Sequence, residues 1–199
     1  MPLPAGLYTV ADAAFGDPVT LGLSLARAGA RVVQLRAKGW APEQVEQAAV
    51  VLLPELRVRG CLLIINDHLA VAATTGADGV HLGQDDGPAS IAEARAALGP
   101  GALVGRSTHT LEQVEAAQDA DYIGFGPIFA TTTGAQGLEP RGVALLEEAV
   151  TASRVPVVAI GGITPSNVHS VRYAGAHGWA VISALVGAPD LDAAMRSLR

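Results

Sequence analysis

The sequence has few of the residues on which small secreted domains and nucleic-acid-binding proteins depend. Its 199 residues include one cysteine, Cys61, in the apolar run CLLIIN, so no disulfide can form within the chain. Aromatic residues are scarce, with three Phe, three Tyr and two Trp, and there is no basic run. The formal net charge is −6. This composition argues against a nucleic-acid surface built from stacking rings and clustered cations.

Long apolar runs are missing as well. No stretch approaches the ~20 apolar residues that a membrane-spanning helix needs, and the N-terminal sequence MPLPAGLYTV lacks the basic and apolar regions of a signal peptide. We therefore expect a cytoplasmic protein that binds neither membranes nor nucleic acids. Half of the residues are hydrophobic, and no linker or low-complexity tract divides them, which predicts one domain over residues 1–199.

Short apolar runs rich in Val and Ile alternate with longer amphipathic stretches. Nearly continuous apolar runs are typical of parallel strands that are buried on both faces. The runs are LYTVAD (7–12), RVVQLR (31–36), CLLIIND (61–67), GVHLGQ (79–84), ALVGRST (102–108), YIGFGP (122–127), PVVAIGG (156–162) and WAVISAL (179–185). These eight strand–helix units, with short loops, predict an α/β fold, a single (β/α)8 TIM barrel, in preference to an open doubly wound sheet.

Several residues mark the expected helix boundaries. Asp17 is a candidate N-cap before Pro18, which suits the first helical position. In the long helical pattern PEQVEQAAVVLLPELRVRG we expect a kink or break at Pro54. Thr164 is a candidate cap, and Pro165 suits the first turn, of the helix that follows the seventh run.

Polar residues gather where the apolar runs end, which in a barrel is the face that carries the active site. Gln34, Arg36 and Lys38 alternate in the stretch QLRAK, so strand periodicity places them on one side. Two cations and an amide at a barrel mouth suit a diphosphate. The alternative is a solvated loop, which explains Lys38 better than it explains Arg36.

Two carboxylates follow neighbouring runs, Asp67 in IIND and Asp86 in HLGQDD. Carboxylates that converge on one mouth suit Mg²⁺, which completes its coordination with substrate phosphates. The alternative is structural: Asp67 precedes a helix and can cap it, and Asp86 can form a turn with Gly87 and Pro88.

The stretch VVAIGGITPSN places Gly161 and Gly162 between a strand and a helix. Glycine permits a positive φ or a close approach of the backbone, and exposed N–H groups favour an anion. Together with Ser183 after the eighth run, the pair predicts a phosphate site, with tight turns alone as the alternative. His109 in STHT is either an acid/base residue or a packing residue of the next helix, which Thr110 can cap.

In this order, the motifs QLRAK, INDH, GVHLGQDD, STHT, DYIGFGPIFATTT, VAIGGITPSN and VISAL resemble those of the thiamin phosphate synthase and TenI superfamily. The resemblance covers nearly the whole chain and implies a (β/α)8 barrel. It implies a transferase of thiamin biosynthesis, which joins hydroxymethylpyrimidine diphosphate to thiazole phosphate and releases diphosphate.

The resemblance also implies roles for single residues. It places Ser107 near the reacting centre and Mg²⁺, the implied cofactor, on Asp67 and Asp86. The implied diphosphate contacts are Gln34, Arg36, Lys38 and Asn66. The implied contacts on the thiazole phosphate side are Thr131, Thr133, Gly162, Ile182 and Ser183.

One position departs from the synthase pattern. Synthases usually carry a lysine after TxT, whereas this chain has Gly134 after Thr131-Thr132-Thr133. Arg141 is a candidate replacement for that cation if its loop folds inward. The loss of one charged contact to a phosphate could slow a synthase severely.

The segments GLEPRGVALL and GRS resemble TenI-type thiazole tautomerases. These isomerise a thiazole carboxylate phosphate by proton transfer without a metal, and His109 matches their expected acid/base. A non-catalytic, phosphate-binding regulatory barrel is a third alternative. The aspartate pair and the QLRAK stretch favour the synthase. The expected partners are small phosphorylated substrates, and a homo-oligomer is compatible with the sequence.

Overall fold

Eight parallel strands form a closed barrel in the computed structural model, which describes residues 2–84, 90–131, 133 and 137–199. The strands pair in chain order, and β8 pairs with β1 to close the sheet. They are β1 (Gly6–Asp12), β2 (Val32–Arg36), β3 (Leu62–Asn66), β4 (Gly79–Leu82), β5 (Leu103–Thr108), β6 (Tyr122–Phe125), β7 (Val157–Ile160) and β8 (Gly178–Val181). The (β/α)8 fold predicted from the alternating runs is confirmed.

Within the described residues, one α-helix follows each strand along the chain. The helices are α1 (Pro18–Arg27), α2 (Pro42–Arg57), α3 (Leu69–Thr75), α4 (Ile91–Leu98), α5 (Leu111–Ala116), α6 (Gly142–Ala152), α7 (Val168–Tyr173) and α8 (Leu191–Ser197). A short 3-10 helix, Ala13–Phe15, precedes α1. None of the helices in the described part of the chain is long and apolar enough to cross a membrane.

The strands are buried on both faces because two apolar layers meet them. Side chains such as Ala11 and Ile65 belong to the layer between strands and helices. Their neighbours Val10 and Ile64 belong to a second cluster, which fills the barrel interior. Because side chains alternate along a strand, most of the strands supply both layers, and their sequences are nearly continuous in apolar residues. The exception is β4, which gives Val80 and Leu82 to the outer layer and places His81 inside the barrel.

The boundaries of the helices confirm some of the predictions and overturn others. The Asp17 carboxylate accepts hydrogen bonds from the N–H groups of Val19 and Thr20, so it caps α1 as predicted. Of the kink or break predicted at Pro54, the break is wrong, because α2 continues through Pro54 to Arg57. A proline so near the helix end removes a single backbone hydrogen bond, and the buried leucines around it hold the last turns in place.

The seventh helix starts later than predicted. Asn167, not Thr164, is the N-cap residue of α7, and Pro165 lies in the turn before the helix. The Asn167 side chain accepts from the Thr164 N–H at 2.8 Å and donates to the Gly162 carbonyl at 2.9 Å. These bonds fold the segment into a turn and delay the helix.

Cys61 lies immediately before β3, away from the barrel mouth, and is buried. Burial, and secondarily the negative charge of Asp78, raises the pKa of its thiol to about 12. At pH ~8 the reactive thiolate is therefore scarce. We expect Ellman's reagent to leave the native protein unlabelled and to titrate one thiol per chain in guanidinium. Rapid labelling of the native protein would contradict this assignment.

Candidate active site

The barrel mouth encloses a cavity of about 350 Å³ at the carboxyl ends of the strands. All eight strands, or the loops that follow them, contribute to its wall. The wall is polar on the side of β2 to β5 and apolar on the side of β7, β8 and β1, where Val158, Ile160 and Val10 lie. Such a cavity can hold an apolar ring on one side and charged groups on the other.

Gln34, Arg36 and Lys38 all line this cavity, as strand periodicity predicted. Gln34 is buried in β2, and its Nε2 donates to the Tyr8 hydroxyl at 3.0 Å. Arg36, at the end of the same strand, donates to the buried carboxylate of Asp12 at the end of β1. The ion pair holds the guanidinium at the barrel mouth, where its other N–H groups can bind an anion.

Asn66 and Asp67 end β3 and also line the cavity. Among the described residues, Asp67 is the one non-glycine residue with positive φ, at 65°. Residues in such sparsely populated conformations concentrate at functional sites. The helix-cap alternative for Asp67 does not hold, because His68 is the N-cap of α3. The backbone N–H of Asp67 donates to the carbonyl of His81 in β4, at 2.9 Å.

The second predicted metal ligand, Asp86, lies outside the described residues. Within the described ranges, no three His, Cys, Asp or Glu side chains come together as a metal-binding group. Asp67 lies at the barrel mouth, where it lines the cavity. Its pairing with Asp86 stays a prediction.

Ser107 lies near the end of β5 and lines the cavity. Its Oγ is 2.9 Å from Nε2 of His81, which belongs to β4. Its backbone carbonyl accepts a hydrogen bond from the Gln84 side chain. A residue held both by its hydroxyl and by its carbonyl has a fixed position against a bound ligand.

His109 lines the cavity just beyond β5. Its Nδ1 is 2.6 Å from the Gly126 carbonyl, and its backbone N–H donates to the Gln113 side chain at 2.6 Å. A carbonyl only accepts hydrogen bonds, so Nδ1 carries the proton and Nε2 is the acceptor atom of the ring. Thr110 caps α5, as predicted, by accepting from the Gln113 N–H.

Gly161 and Gly162 follow β7 with φ values of 98° and 64°. The segment after β6 lies directly against them: the Ile128 N–H donates to the Ile160 carbonyl at 2.8 Å, and the Phe129 N–H to the Gly161 carbonyl at 3.1 Å. A Cβ on Gly161 would lie 2.5 Å from Pro127, and one on Gly162 would lie 2.5 Å from the Ala130 carbonyl oxygen.

The loops after β6 and β7 approach each other so closely that residues 161 and 162 must both be glycine. Gly162, Ile182 and Ser183 nevertheless line the cavity together, so the predicted phosphate site remains compatible with the packing. Because α7 begins only at Val168, the backbone beside an anion here would belong to the turns after β7 and β8.

Of the remaining predicted residues, some line the cavity and others do not. Thr133 lines the cavity, whereas Thr131 is not among the described lining residues and instead contacts Thr133, with 3.1 Å between their Oγ1 atoms. Gly134, which occupies the usual lysine position, lies outside the described residues. Arg141 precedes α6, and its N–H donates to the Pro127 carbonyl at 2.7 Å. It too is absent from the described lining of the cavity.

Comparison with known proteins agrees with this geometry. Residues 7–185 match the family described as thiamine monophosphate synthase. The chain belongs to this family. It is 45% identical over 191 residues to a thiamine-phosphate synthase of Anaeromyxobacter dehalogenans, with 95% of this chain and 84% of the relative aligned. A thiamine-phosphate synthase of Methanoculleus marisnigri is 44% identical, with 97% and 93% of the two chains aligned.

A solved structure supports the same assignment. Thiamine phosphate pyrophosphorylase from Pyrococcus furiosus matches with a TM-score of 0.87 and 32% identity, covering 98% of this chain and 94% of that one. Membership of the thiamine monophosphate synthase family makes the chain an enzyme of thiamin biosynthesis, of the transferase class, as the motifs predicted.

Three residues on the cavity floor were not predicted from the sequence. Tyr8, Tyr122 and His81 project into the barrel from β1, β6 and β4 and connect to Ser107 by hydrogen bonds. A signal for them was present: counting back in steps of two from the polar strand ends identifies the inward positions. The strand ends alone do not reveal them.

Proposed function

We propose that the protein joins hydroxymethylpyrimidine diphosphate to thiazole phosphate and releases diphosphate, as a thiamin phosphate synthase does. The observation that carries the proposal is one cavity whose polar wall contains Gln34, Arg36, Asn66 and Asp67, opposite an apolar wall. The polar side has the donors and the carboxylate that a metal-bound diphosphate needs, and the apolar side suits two aromatic heterocycles.

The reaction breaks the bond between the methylene carbon and the diphosphate oxygen, and the electron pair leaves with the diphosphate. In our proposal Arg36 and Lys38 bind the departing oxygens, where negative charge grows as the bond breaks. Gln34 and Asn66 donate from the strand ends and fix the orientation of the diphosphate. The thiazole ring nitrogen then supplies its lone pair to the cationic carbon and forms the new bond.

The donor set fits Mg²⁺. Asp67 provides a hard carboxylate oxygen at the mouth, and Asp86, four residues beyond β4, would provide a second. When bound, the ion supplies charge neutralisation for the leaving diphosphate. Asp67 and Asp86 would hold the ion, and Arg36 and Lys38 would add their positive charges to the binding of the diphosphate.

The thiazole phosphate is assigned to the opposite side of the mouth. Thr133, Gly162, Ile182 and Ser183 would bind its phosphate, with Thr131 supporting Thr133 through their hydroxyl contact. The apolar side chains of Val158 and Ile160 exclude water from the path of the cation, which would otherwise be captured as an alcohol. In our proposal Ser107, near the end of β5, and His109, just beyond that strand, face the reacting groups.

The test is a coupling assay with the purified protein, both substrates and Mg²⁺, run with and without EDTA. We expect thiamin phosphate to form only with the metal, which would also show that the chain functions without a lysine at position 134. If no product forms, the same protein is incubated with the thiazole carboxylate phosphate. Isomerisation of that compound in EDTA, and its loss in His109→Gln, would replace the synthase by a tautomerase.

The ion pair between Asp12 and Arg36 leads to a further prediction. Asp12→Asn keeps an oxygen that can accept from the Ala14 N–H but removes the charge that holds Arg36. We expect the KM for the pyrimidine diphosphate to rise ~10-fold, because the guanidinium loses its fixed orientation.

Asp17→Asn is the matched control for this change. Asp17 also caps a helix through its carboxylate, but it is exposed and belongs to α1. We expect this variant to keep the KM of the unmodified enzyme. An equal rise of the KM in both variants would remove the role of Asp12 in positioning Arg36.

A further inference from the structure

A continuous chain of hydrogen bonds crosses the barrel beneath the cavity. Gln34 Nε2 lies 3.0 Å from the Tyr8 hydroxyl, and the Tyr8 hydroxyl lies 2.9 Å from that of Tyr122. The Tyr122 hydroxyl lies 3.1 Å from His81 Nδ1, and His81 Nε2 lies 2.9 Å from Ser107 Oγ. The chain therefore connects a residue of the proposed diphosphate site to Ser107 on the other side of the barrel.

Glycines make room for this chain. A Cβ on Gly105 of β5 would lie 2.5 Å from the Tyr122 hydroxyl and 2.6 Å from His81 Nδ1. A Cβ on Gly124 of β6 would lie 3.3 Å from the His81 ring. Both glycines occupy inward positions, so the contact between Tyr122 and His81 depends on backbone that carries no side chain.

The direction of the hydrogen bonds follows from the number of protons that each group can donate. The Gln34 amide nitrogen only donates, so the Tyr8 oxygen accepts from it. Tyr8 has one proton and gives it to Tyr122, which gives its own proton to His81 Nδ1. With Nδ1 as an acceptor, the neutral ring carries its proton on Nε2 and donates to Ser107 Oγ.

The opposite direction leaves a proton without an acceptor. If Ser107 donated to His81 and His81 to Tyr122, then Tyr8 would accept from both Tyr122 and Gln34. Within the described residues, the hydrogen bonds of the Tyr8 hydroxyl are those to Gln34 and Tyr122. Its own proton would then be buried without an acceptor, which costs free energy.

Tyr8 and Tyr122 both keep their hydroxyl protons at neutral and mildly alkaline pH. Burial raises the pKa of the Tyr8 hydroxyl well above its ordinary value. Burial also raises the pKa of the Tyr122 hydroxyl, and the neighbouring Tyr8 adds to this effect. Neither group becomes a phenolate that would reverse the chain.

We propose that Tyr122 and His81 are positioning residues for Ser107: Tyr122 holds His81 as the Nε2–H tautomer, and His81 donates to Ser107 Oγ. Ser107 then cannot pass its proton to His81, so it is no base-activated nucleophile. Its O–H is directed into the cavity as a hydrogen-bond donor to the substrate. The catalytic part of this inference rests on the proposed function, whereas the tautomer does not.

The direct test is a long-range ¹H–¹⁵N correlation spectrum of the free protein at pH ~8, where an ordinary histidine is neutral. The chain contains its own references. His177 Nε2 lies 3.0 Å from the Leu3 carbonyl and carries its proton there, whereas His109 carries its proton on Nδ1. We expect His81, assigned from the spectrum of His81→Gln, to show the pattern of His177. The pattern of His109 at His81 would overturn the proposal.

Tyr122→Phe and Tyr8→Phe form a matched pair, since each removes one buried hydroxyl from the chain. Of these two tyrosines, Tyr122 is the one whose hydroxyl hydrogen-bonds to His81 within the described residues. We expect Tyr122→Phe to give a mixture of His81 tautomers and to lower kcat ~10-fold, and Tyr8→Phe to keep the tautomer with a loss below ~3-fold. Equal effects of the two changes, or no change of the tautomer in Tyr122→Phe, would contradict the positioning role.

Ser107→Ala tests the direction even if Tyr122→Phe fails to fold. In our proposal Ser107 does not set the tautomer, so His81 keeps the Nε2–H pattern in this variant. If Ser107 instead donates to Nε2, its removal changes the pattern, and the proposal fails. A protein that shows the expected tautomers but forms no thiamin phosphate would contradict the proposed function and leave the tautomer assignment intact.

Discussion

Asp67→Asn is expected to lower kcat/KM for thiamin phosphate formation ~10³-fold at a fixed Mg²⁺ concentration. The amide keeps the size of the side chain and one oxygen, but it removes the negative charge that attracts the cation. Asparagine also tolerates positive φ, so the backbone at 65° adds no new strain. The loss therefore reports on the charge of the side chain and not on the fold.

The measurement is the rate as a function of Mg²⁺ concentration for both proteins. We expect the variant to need a much higher concentration and to recover part of its rate there. Asp192→Asn is the control, because Asp192 undergoes the same chemical change on the exposed surface of α8. If Asp67→Asn keeps the rate and the Mg²⁺ dependence of the unmodified enzyme, the assignment of Asp67 to the metal site is wrong.

Gly162→Ala has the second large effect, on stability as well as on activity. The new methyl group would lie 2.5 Å from the Ala130 carbonyl oxygen and 2.8 Å from the Phe129 Cβ. Backbone atoms cannot rotate away, so the loop after β6 must shift. Overpacking and positive φ together are expected to lower the free energy of unfolding by ~2–4 kcal/mol. A shift of the cavity wall by ~1 Å can lower the rate ~10²-fold.

Gly76→Ala separates the clash from the backbone strain. Gly76 has φ of 67°, close to the 64° of Gly162, but a Cβ there meets nothing within 4 Å. It ends α3 and is not among the described residues that line the cavity. We expect this control to lose ~1 kcal/mol in denaturant unfolding and to keep its activity. Equal losses in the two variants would show that φ alone determines the effect.

The fold was predictable from the sequence because each strand is buried on two faces. Runs such as CLLIIN and VVAI have no polar alternation, so they fit a parallel barrel better than an exposed sheet. Boundaries were harder to predict. Pro54 signals a break, yet the buried side of α2 holds the helix together through it, and Asn167 moves the start of α7 through two side-chain bonds.

The polar residues of the site were predictable where they stand at strand ends, as Arg36 and Asp67 do. The floor of the cavity was not, because Tyr8 and Tyr122 lie inside apolar runs and look like core residues. Their hydroxyl groups meet only in the closed barrel, over 114 positions of sequence separation. The reason for Gly161 and Gly162 was also only partly visible, since their contact with the loop after β6 depends on the tertiary fold.

The hydrogen bonds from Ile128 and Phe129 to β7 and Gly161 have a consequence for loop engineering. They fix the first part of the connection between β6 and α6, up to Ala130, to the barrel itself. Insertions or grafted sequences placed before Ala130 would have to break this pairing and displace Gly162. Sequence changes placed after Thr133 leave these hydrogen bonds intact. The other end of the loop is also fixed, because the N–H of Gly142, the first residue of α6, donates to the Ile128 carbonyl at 3.0 Å. New substrate preferences are therefore best sought by varying residues between these two anchors.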